Sequence, residues 1–278
     1  VGVPLGESRA ISYLARDGAT IPAYLTLPPG REAKKLPVVV LPHGGPESRD
    51  TSGFDWLAQF LATRGYAVLQ PQFRGSTGFG RAHRLAGYGE WGGRMQDDLS
   101  DGVRHLVATG IADPQRVCIA GASYGGYAAL AGAAFTPDLY ACAVSVNGVS
   151  DLPTMIGDLL RRGDESSDAV AYWKDHIGPP TNPQVAARSP ARAAASVRAP
   201  VLLLHGANDT VVPPSQSQLM AKSLAAAGKP HRYVELPGED HWLSSGAMRT
   251  RALEEIASFL AQHLGPAEER AGEPQSSA

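Results

Sequence analysis

The segment that most constrains this chain is Gly121-Ala122-Ser123-Tyr124-Gly125-Gly126. It follows Arg116-Val117-Cys118-Ile119-Ala120, a short apolar run that reads as a strand, and precedes Tyr127-Ala128-Ala129-Leu130-Ala131, which reads as a helix. A serine at the apex of a strand-to-helix turn must adopt a strained backbone, and the glycines two positions either side leave room for it. The serine hydroxyl is then carried at a helix N-terminus, where free backbone N–H groups can meet a developing negative charge. A plain Gly/Ser turn between two elements would look the same in isolation, so the companions of Ser123 decide between the readings.

A serine nucleophile needs a base and an acid that orients the base, and on a strand–turn–helix scaffold they follow it in the order Ser, Asp, His. Val201-Leu202-Leu203-Leu204-His205-Gly206 reads as a buried strand, and the loop after it holds Asp209. The next strand, His231-Arg232-Tyr233-Val234-Glu235-Leu236, leads to Gly238-Glu239-Asp240-His241-Trp242. Each candidate therefore sits past the carboxyl end of a strand, where open α/β sheets form their ligand crevice. Asp240 competes with Asp209 for the acid role. Neighbours on a loop usually point apart, and chain order favours Asp209.

The remaining pattern is strand–helix alternation. Residues 9–16 and 20–27 flank Asp17-Gly18, a hairpin turn signal, and read as antiparallel edge strands. Strands are expected at 36–41, 66–70, 116–120, 140–146, 201–205 and 231–236. Helices are expected at 55–64, 95–109, after Ser123, at 214–227 and at 247–264. This alternation predicts an α/β fold of the α/β-hydrolase type: a doubly wound, mostly parallel sheet with helices on both faces and an N-terminal antiparallel hairpin. One domain is expected over 1–264. Residues 151–188 break the alternation and read as an irregular or helical excursion over the active-site edge. Ser189-Pro190 reads as an N-cap with proline in the first turn. Residues 265–278 read as a disordered tail.

Composition excludes several classes. With 43% hydrophobic residues, 19% charged and a net charge of −2, the chain resembles an ordinary globular protein and gives no reason to expect nucleic acid or an anionic membrane as partner. No apolar run approaches the roughly 20 residues of a membrane span. No signal segment is visible, which leans towards the cytoplasm, yet the chain starts at Val1 and leaves an upstream segment open. Cys118 and Cys142, each inside an expected central strand, read as small buried hydrophobes, with a disulfide left open. Neither a C-x-x-C pair nor an H-E-x-x-H motif occurs, so no metal and no cofactor are expected. Gly87-Tyr88-Gly89-Glu90-Trp91-Gly92 matches G-x-G-x-x-G but does not lead from a strand into a helix, and is set aside as a dinucleotide site.

His43-Gly44-Gly45-Pro46 directly follows a strand, so its glycine-rich turn can aim a backbone N–H at a substrate carbonyl oxygen. The second donor would be the N–H of Tyr124, next to the nucleophile. Tyr172 and Trp173 could line a substrate pocket or pack the excursion onto the sheet. His43 reads as a structural hydrogen-bonding residue.

Together, His43-Gly44-Gly45-Pro46, Phe73-Arg74-Gly75-Ser76-Thr77-Gly78-Phe79-Gly80, the Ser123 hexapeptide with Tyr127, His205-Gly206 with Asp209, Val212-Pro213 and His241 resemble the catalytic domain of the prolyl oligopeptidase family of serine peptidases, on its acylaminoacyl-peptidase-like branch. The resemblance covers about residues 10–264. It implies Ser123 as nucleophile, Asp209 as acid, His241 as base, and an oxyanion hole from the backbones of Gly45 and Tyr124. It implies a small peptide or ester as substrate. The His43–Pro46 motif has no tyrosine, which some branches use for the oxyanion. The β-propeller that restricts access in such enzymes is not encoded in these 278 residues, so a wider opening that favours small esters is expected. A carboxylesterase is the alternative, and a non-catalytic binding module on the same fold is the third reading.

Overall fold

A computed structural model describes residues 2–162 and 168–265; the expected tail lies almost wholly outside them. In chain order the elements are β1 (Glu7–Leu14), β2 (Thr20–Leu27), β3 (Leu36–Val40), α1 (Trp56–Ala62), β4 (Ala67–Pro71), α2 (Arg81–Leu85), α3 (Arg94–Ala108), β5 (Ala112–Ala122), α4 (Tyr124–Phe135), β6 (Cys142–Val146), α5 (Leu152–Arg162), α6 (Asp168–Ile177), α7 (Pro183–Ala187), a 3₁₀ turn (Pro190–Ser196), β7 (Val201–Gly206), α8 (Ser215–Ala226), β8 (His231–Leu236) and α9 (Gly246–Leu264). The eight strands form one sheet in the order β1-β2-β4-β3-β5-β6-β7-β8. β1 and β2 are an antiparallel hairpin, β2 joins β4 antiparallel, and every later pairing is parallel.

Because side chains alternate across a strand, the central strands are apolar on both sides and feed two cores. Val38, Val40, Ile119 and Leu203 pack under α3, α4 and α8. Val39, Cys118, Leu202 and Leu204 pack under α1 and α9. Cys118 and Cys142 stand opposite each other in the parallel register of β5 and β6, with Cα atoms 4.7 Å apart, and are joined as a disulfide. The expectation of two separate small hydrophobes is corrected on this point. Each cysteine is buried as expected, but pairing depends on register between strands 24 residues apart in sequence.

The described part of residues 151–188 consists of α5, α6 and α7 with short turns between and after the last two. Leu152, Met155, Ile156 and Val185 are buried in the larger core, and the Gly89 amide donates to His176 O at 2.9 Å, which joins the excursion to the loop before α3. Pro190 opens a 3₁₀ turn, but the Ser189 hydroxyl does not cap it. It accepts from Leu152 N at 3.0 Å, at the start of α5.

One polar contact ties the hairpin turn, the loop after β4 and α3 together. Arg74 Nε lies 3.0 and 3.1 Å from the two Asp98 carboxylate oxygens, its own amide donates to Asp98 Oδ2 at 2.9 Å, and its far nitrogen pairs with Asp17. Burial pushes the Asp98 carboxyl up, and the Arg74 hydrogen bonds pull it part of the way back. Removing one member of a buried pair strands the other without compensation. Arg74→Met should therefore cost about 3 kcal/mol in chemical denaturation. A loss below about 1 kcal/mol would show that the pair carries no more than a surface contact.

Candidate active site

Ser123 links β5 to α4 and holds φ 57° and ψ −119°, a conformation that non-glycine residues avoid. The strain is held by hydrogen bonds on both sides: Ser123 N donates to Val146 O at 2.9 Å, and Tyr127 N donates to Ser123 O at 3.0 Å. The turn closes only because its flanks lack side chains. A Cβ on Gly121 would stand 2.5 Å from Gly125 C, and one on Gly125 would stand 2.1 Å from Pro42 O. The Tyr124 N–H belongs to the first turn of α4, where no carbonyl of the same helix can reach it.

Asp209 lies in the loop after β7. Its Oδ1 accepts from Val211 N at 2.8 Å and Val212 N at 2.9 Å. Its Oδ2 accepts from His241 Nδ1 at 2.6 Å. His241 lies in the loop after β8, so two loops separated by a helix and a strand converge at the carboxyl ends of neighbouring parallel strands. Burial pushes the Asp209 carboxyl up, but hydrogen bonds from His205, His241 and Val212 N outweigh it and hold the group well below the usual carboxylate range. Asp209 is thus the ionised acceptor, and the His241 proton on Nδ1 leaves Nε2 free to act as a base.

Asp240 does not compete in this geometry. Its carboxylate accepts from Trp242 N, Ser244 N and the Ser244 hydroxyl, and caps its own loop in solvent.

Two residues that the sequence left without a role support this arrangement. His205 Nε2 donates to Val212 O at 2.9 Å and lies 3.5 Å from Asp209 Oδ2, while its Nδ1 accepts from the Ser217 hydroxyl at 2.7 Å. It lies against the same carboxylate oxygen that His241 meets. Asn147, just past β6 with φ 50°, accepts from Gly206 N at 2.8 Å and donates to His241 O at 2.9 Å. It ties the end of β7 to the backbone that carries the imidazole. A polar residue immediately after a buried strand, next to Gly148, was the available signal.

The His43–Pro46 turn packs against the serine: a Cβ on Gly44 would stand 3.5 Å from Ser123 Cβ. Burial pushes the His43 imidazole down to about 4. The neutral ring donates from Nδ1 to Gly44 O at 2.7 Å, accepts at Nε2 from the Ser76 hydroxyl at 2.8 Å, and stacks on Phe73 at 4.4 Å. It is a structural histidine that shapes the glycine turn.

Ser123, His241, Gly44 and Gly45 all line one cavity of about 360 Å³. Its apolar walls come from α1, α9 and the residues after His241. Tyr172 and Trp173 are not among its lining residues. The Tyr172 ring lies 3.9 Å from that of His176, and Trp173 meets Trp91 edge-on at 5.5 Å, in a cluster that continues to Tyr124 and Tyr127. Packing of the excursion, the other reading of this pair, describes Trp173.

Comparison with known proteins agrees with this architecture. A profile of the prolyl oligopeptidase family matches residues 52–267. The chain is 38% identical to dipeptidyl aminopeptidase BIII of Pseudoxanthomonas mexicana over 283 aligned residues, 95% of this chain and 40% of that protein. It is 27% identical to the acylamino-acid-releasing enzyme of Rattus norvegicus, over 94% of this chain and 36% of that one. The solved structure of a puromycin-hydrolyzing peptidase from Mycobacterium tuberculosis superposes with a TM-score of 0.86 and 34% identity, over 96% of this chain and 40% of the other. The chain therefore spans about two fifths of the length of these relatives.

The depressed Asp209 pKa fixes a pH dependence. A carboxyl held below its unfolded value of about 3.9 stabilises the fold above that value and loses the contribution as pH falls through the folded pKa. Thermal melts of wild type and Asp209→Asn should differ fully above about pH 5 and converge below it. A gap that widens in acid would contradict the assignment of Asp209 as the ionised partner.

Proposed function

The chain belongs to the prolyl oligopeptidase family, and from that premise we propose that it is a serine peptidase that cleaves peptide or aminoacyl amide bonds through an acyl-enzyme formed on Ser123. The observation that carries the reading is the 2.6 Å contact between His241 Nδ1 and buried Asp209, with Ser123 and His241 opening onto the same cavity. The names of the relatives, a dipeptidyl aminopeptidase and an acylamino-acid-releasing enzyme, support a short peptide or N-acylated peptide as substrate.

The placement of His241 between Asp209 and the cavity that Ser123 lines supports a two-step acyl transfer. With the proton on Nδ1 held by Asp209, His241 Nε2 takes the Ser123 Oγ proton as Oγ bonds to the substrate carbonyl carbon. The carbonyl π pair moves to oxygen, and the resulting oxyanion accepts from the backbone N–H groups of Gly45 and Tyr124. That charge forms only in the transition state and intermediate, so these donors accelerate the step rather than bind the ground state. When the pair returns, the carbon–nitrogen bond breaks, the amine leaves with the proton from His241 Nε2, and an ester to Ser123 remains. Water, deprotonated by His241, attacks that ester, and the collapsing intermediate releases the acid and restores the Ser123 hydroxyl. Asp209 stays ionised and stabilises the imidazolium of both halves. Esters, whose leaving group needs less assistance, undergo the same sequence, which keeps carboxylesterase activity as the alternative preference of the site.

Ser123→Ala should lower kcat by at least about 10⁴-fold with the fold unchanged by circular dichroism. A fluorophosphonate should label wild type at Ser123 alone, as mapped by peptide mass. Hydrolysis by the alanine variant within tenfold of wild type would overturn the proposal. Asp209→Asn should cost about 10²–10⁴-fold, because an amide cannot hold the His241 tautomer or stabilise its cation. Asp240→Asn should cost less than tenfold, since Asp240 faces Ser244 and not the imidazole. Reversal of those two effects would move the acid role to Asp240.

A further inference from the structure

The cavity beside Ser123 is asymmetric in a way that assigns a side of the substrate to it. In acyl transfer the departing atom receives its proton from the histidine, so it must lie against that ring. Here the cavity wall continues from His241 through Trp242 and Leu243 into α9. A group leaving from the Ser123 carbonyl therefore enters this cavity. Leu57 and Leu61 of α1 and Leu253 and Ile256 of α9 give it apolar sides, and Trp56 and Trp242, both substantially exposed, stand at its mouth.

One charge faces this apolar volume. Arg249, on the first turns of α9, lines the cavity. Its Nε and one terminal nitrogen donate to Leu243 O at 3.1 and 3.0 Å, which fixes the side chain, and its guanidinium lies 6.0 Å from the Trp56 ring centroid. Among the described residues no carboxylate is paired with Arg249, whereas Arg16, Arg74, Arg192 and Arg232 each meet one. A positioned guanidinium with donors to spare beside an apolar pocket matches a ligand with an apolar side chain and a carboxylate.

We propose that this cavity is the leaving-group pocket, and that it selects substrates whose leaving residue is apolar or aromatic and bears a free α-carboxylate, held by Arg249. The inference rests on the acyl-transfer reading above. It adds that the scissile bond is the last one of a short peptide with an apolar C-terminal residue.

The test compares three probes on the 278-residue chain: N-acetyl-alanyl-phenylalanine, its C-terminal amide, and N-acetyl-alanyl-glycine. Turnover is measured on wild type, and affinity by calorimetry on the uncleaving Ser123→Ala variant. The free acid should exceed the amide at least about tenfold in both kcat/KM and affinity, the scale of one charge-assisted contact. Phenylalanine should exceed glycine by a similar factor, as burial of an aromatic side chain requires. In Arg249→Met the acid-to-amide ratio should fall to about one, and Arg249→Lys should retain part of it, since the ammonium keeps charge without the fork. Leu253→Trp fills the cavity and should collapse the phenylalanine-to-glycine ratio. Each readout is a ratio within one variant, so partial loss of fold cancels. Equal handling of acid and amide by wild type, no detectable binding of any probe, or an acid preference unchanged in Arg249→Met would overturn the inference. Binding with the expected ratios but no turnover would instead remove the catalytic reading and leave the pocket assignment standing.

Discussion

The structure depends on backbone meeting backbone at the start of α4. Gly121 closes on Gly125, Gly125 closes on the Pro42 carbonyl, and a Cβ on Gly126 would stand 2.8 Å from Gly148 Cα. These approaches let α4, buried from Tyr124 to Ala134, lie directly on β5 and β6. They also bring the His43–Pro46 turn against Ser123 and force the serine to positive φ. One set of side-chain-free contacts thus positions the proposed nucleophile beside the first helical N–H and the glycine turn, the two proposed oxyanion donors. Strain at Ser123 is sustained by the core around it, as such strain must be.

The proposed acid and base, Asp209 and His241, are positioned by a different device. They sit on two loops at one edge of a parallel sheet, and their register follows from the register of β7 with β8, where Gly206 pairs with Leu236. Asn147 bridges Gly206 to His241, and His205 Nε2 lies 3.5 Å from the Asp209 carboxylate. The carboxylate accepts from two loop amides and from His241, with His205 Nε2 3.5 Å away, and these groups keep it ionised despite burial. A buried anion with so many donors orients the His241 ring strongly, because rotation would leave a charge unpaired.

Much of this was legible in the sequence. The Ser123 turn could be read because its glycines have one steric purpose. The contact of Asp209 with His241 could be expected because each lies in the loop past the carboxyl end of a predicted strand. Every expected strand and helix has a counterpart within a few residues, since the central strands β3, β5 and β7 are continuous apolar runs that feed both cores and the helices carry apolar residues at helical spacing. What was not legible lies in contacts between distant positions. The bracing role of His205 needs the loop fold of 207–212, and that of Asn147 needs three loop ends in one place. The Cys118–Cys142 link needs strand register. Ser189 looked like a cap because Pro190 follows it, but its hydroxyl found Leu152 N, a partner 37 residues away. Trp173 was drawn to Trp91, since large aromatic surfaces gain most from edge-on burial.

The central claim is that acyl transfer passes through an ester on Ser123, and the most direct measurement is rapid acid quench during turnover of a slowly hydrolysed acyl substrate, followed by peptide mass mapping. The account predicts the acyl mass on the single peptide that contains Ser123, lost on dilution into buffer as the ester hydrolyses and absent from Ser123→Ala. An acyl group found on another residue, or product formed at the wild-type rate by the alanine variant, would contradict it.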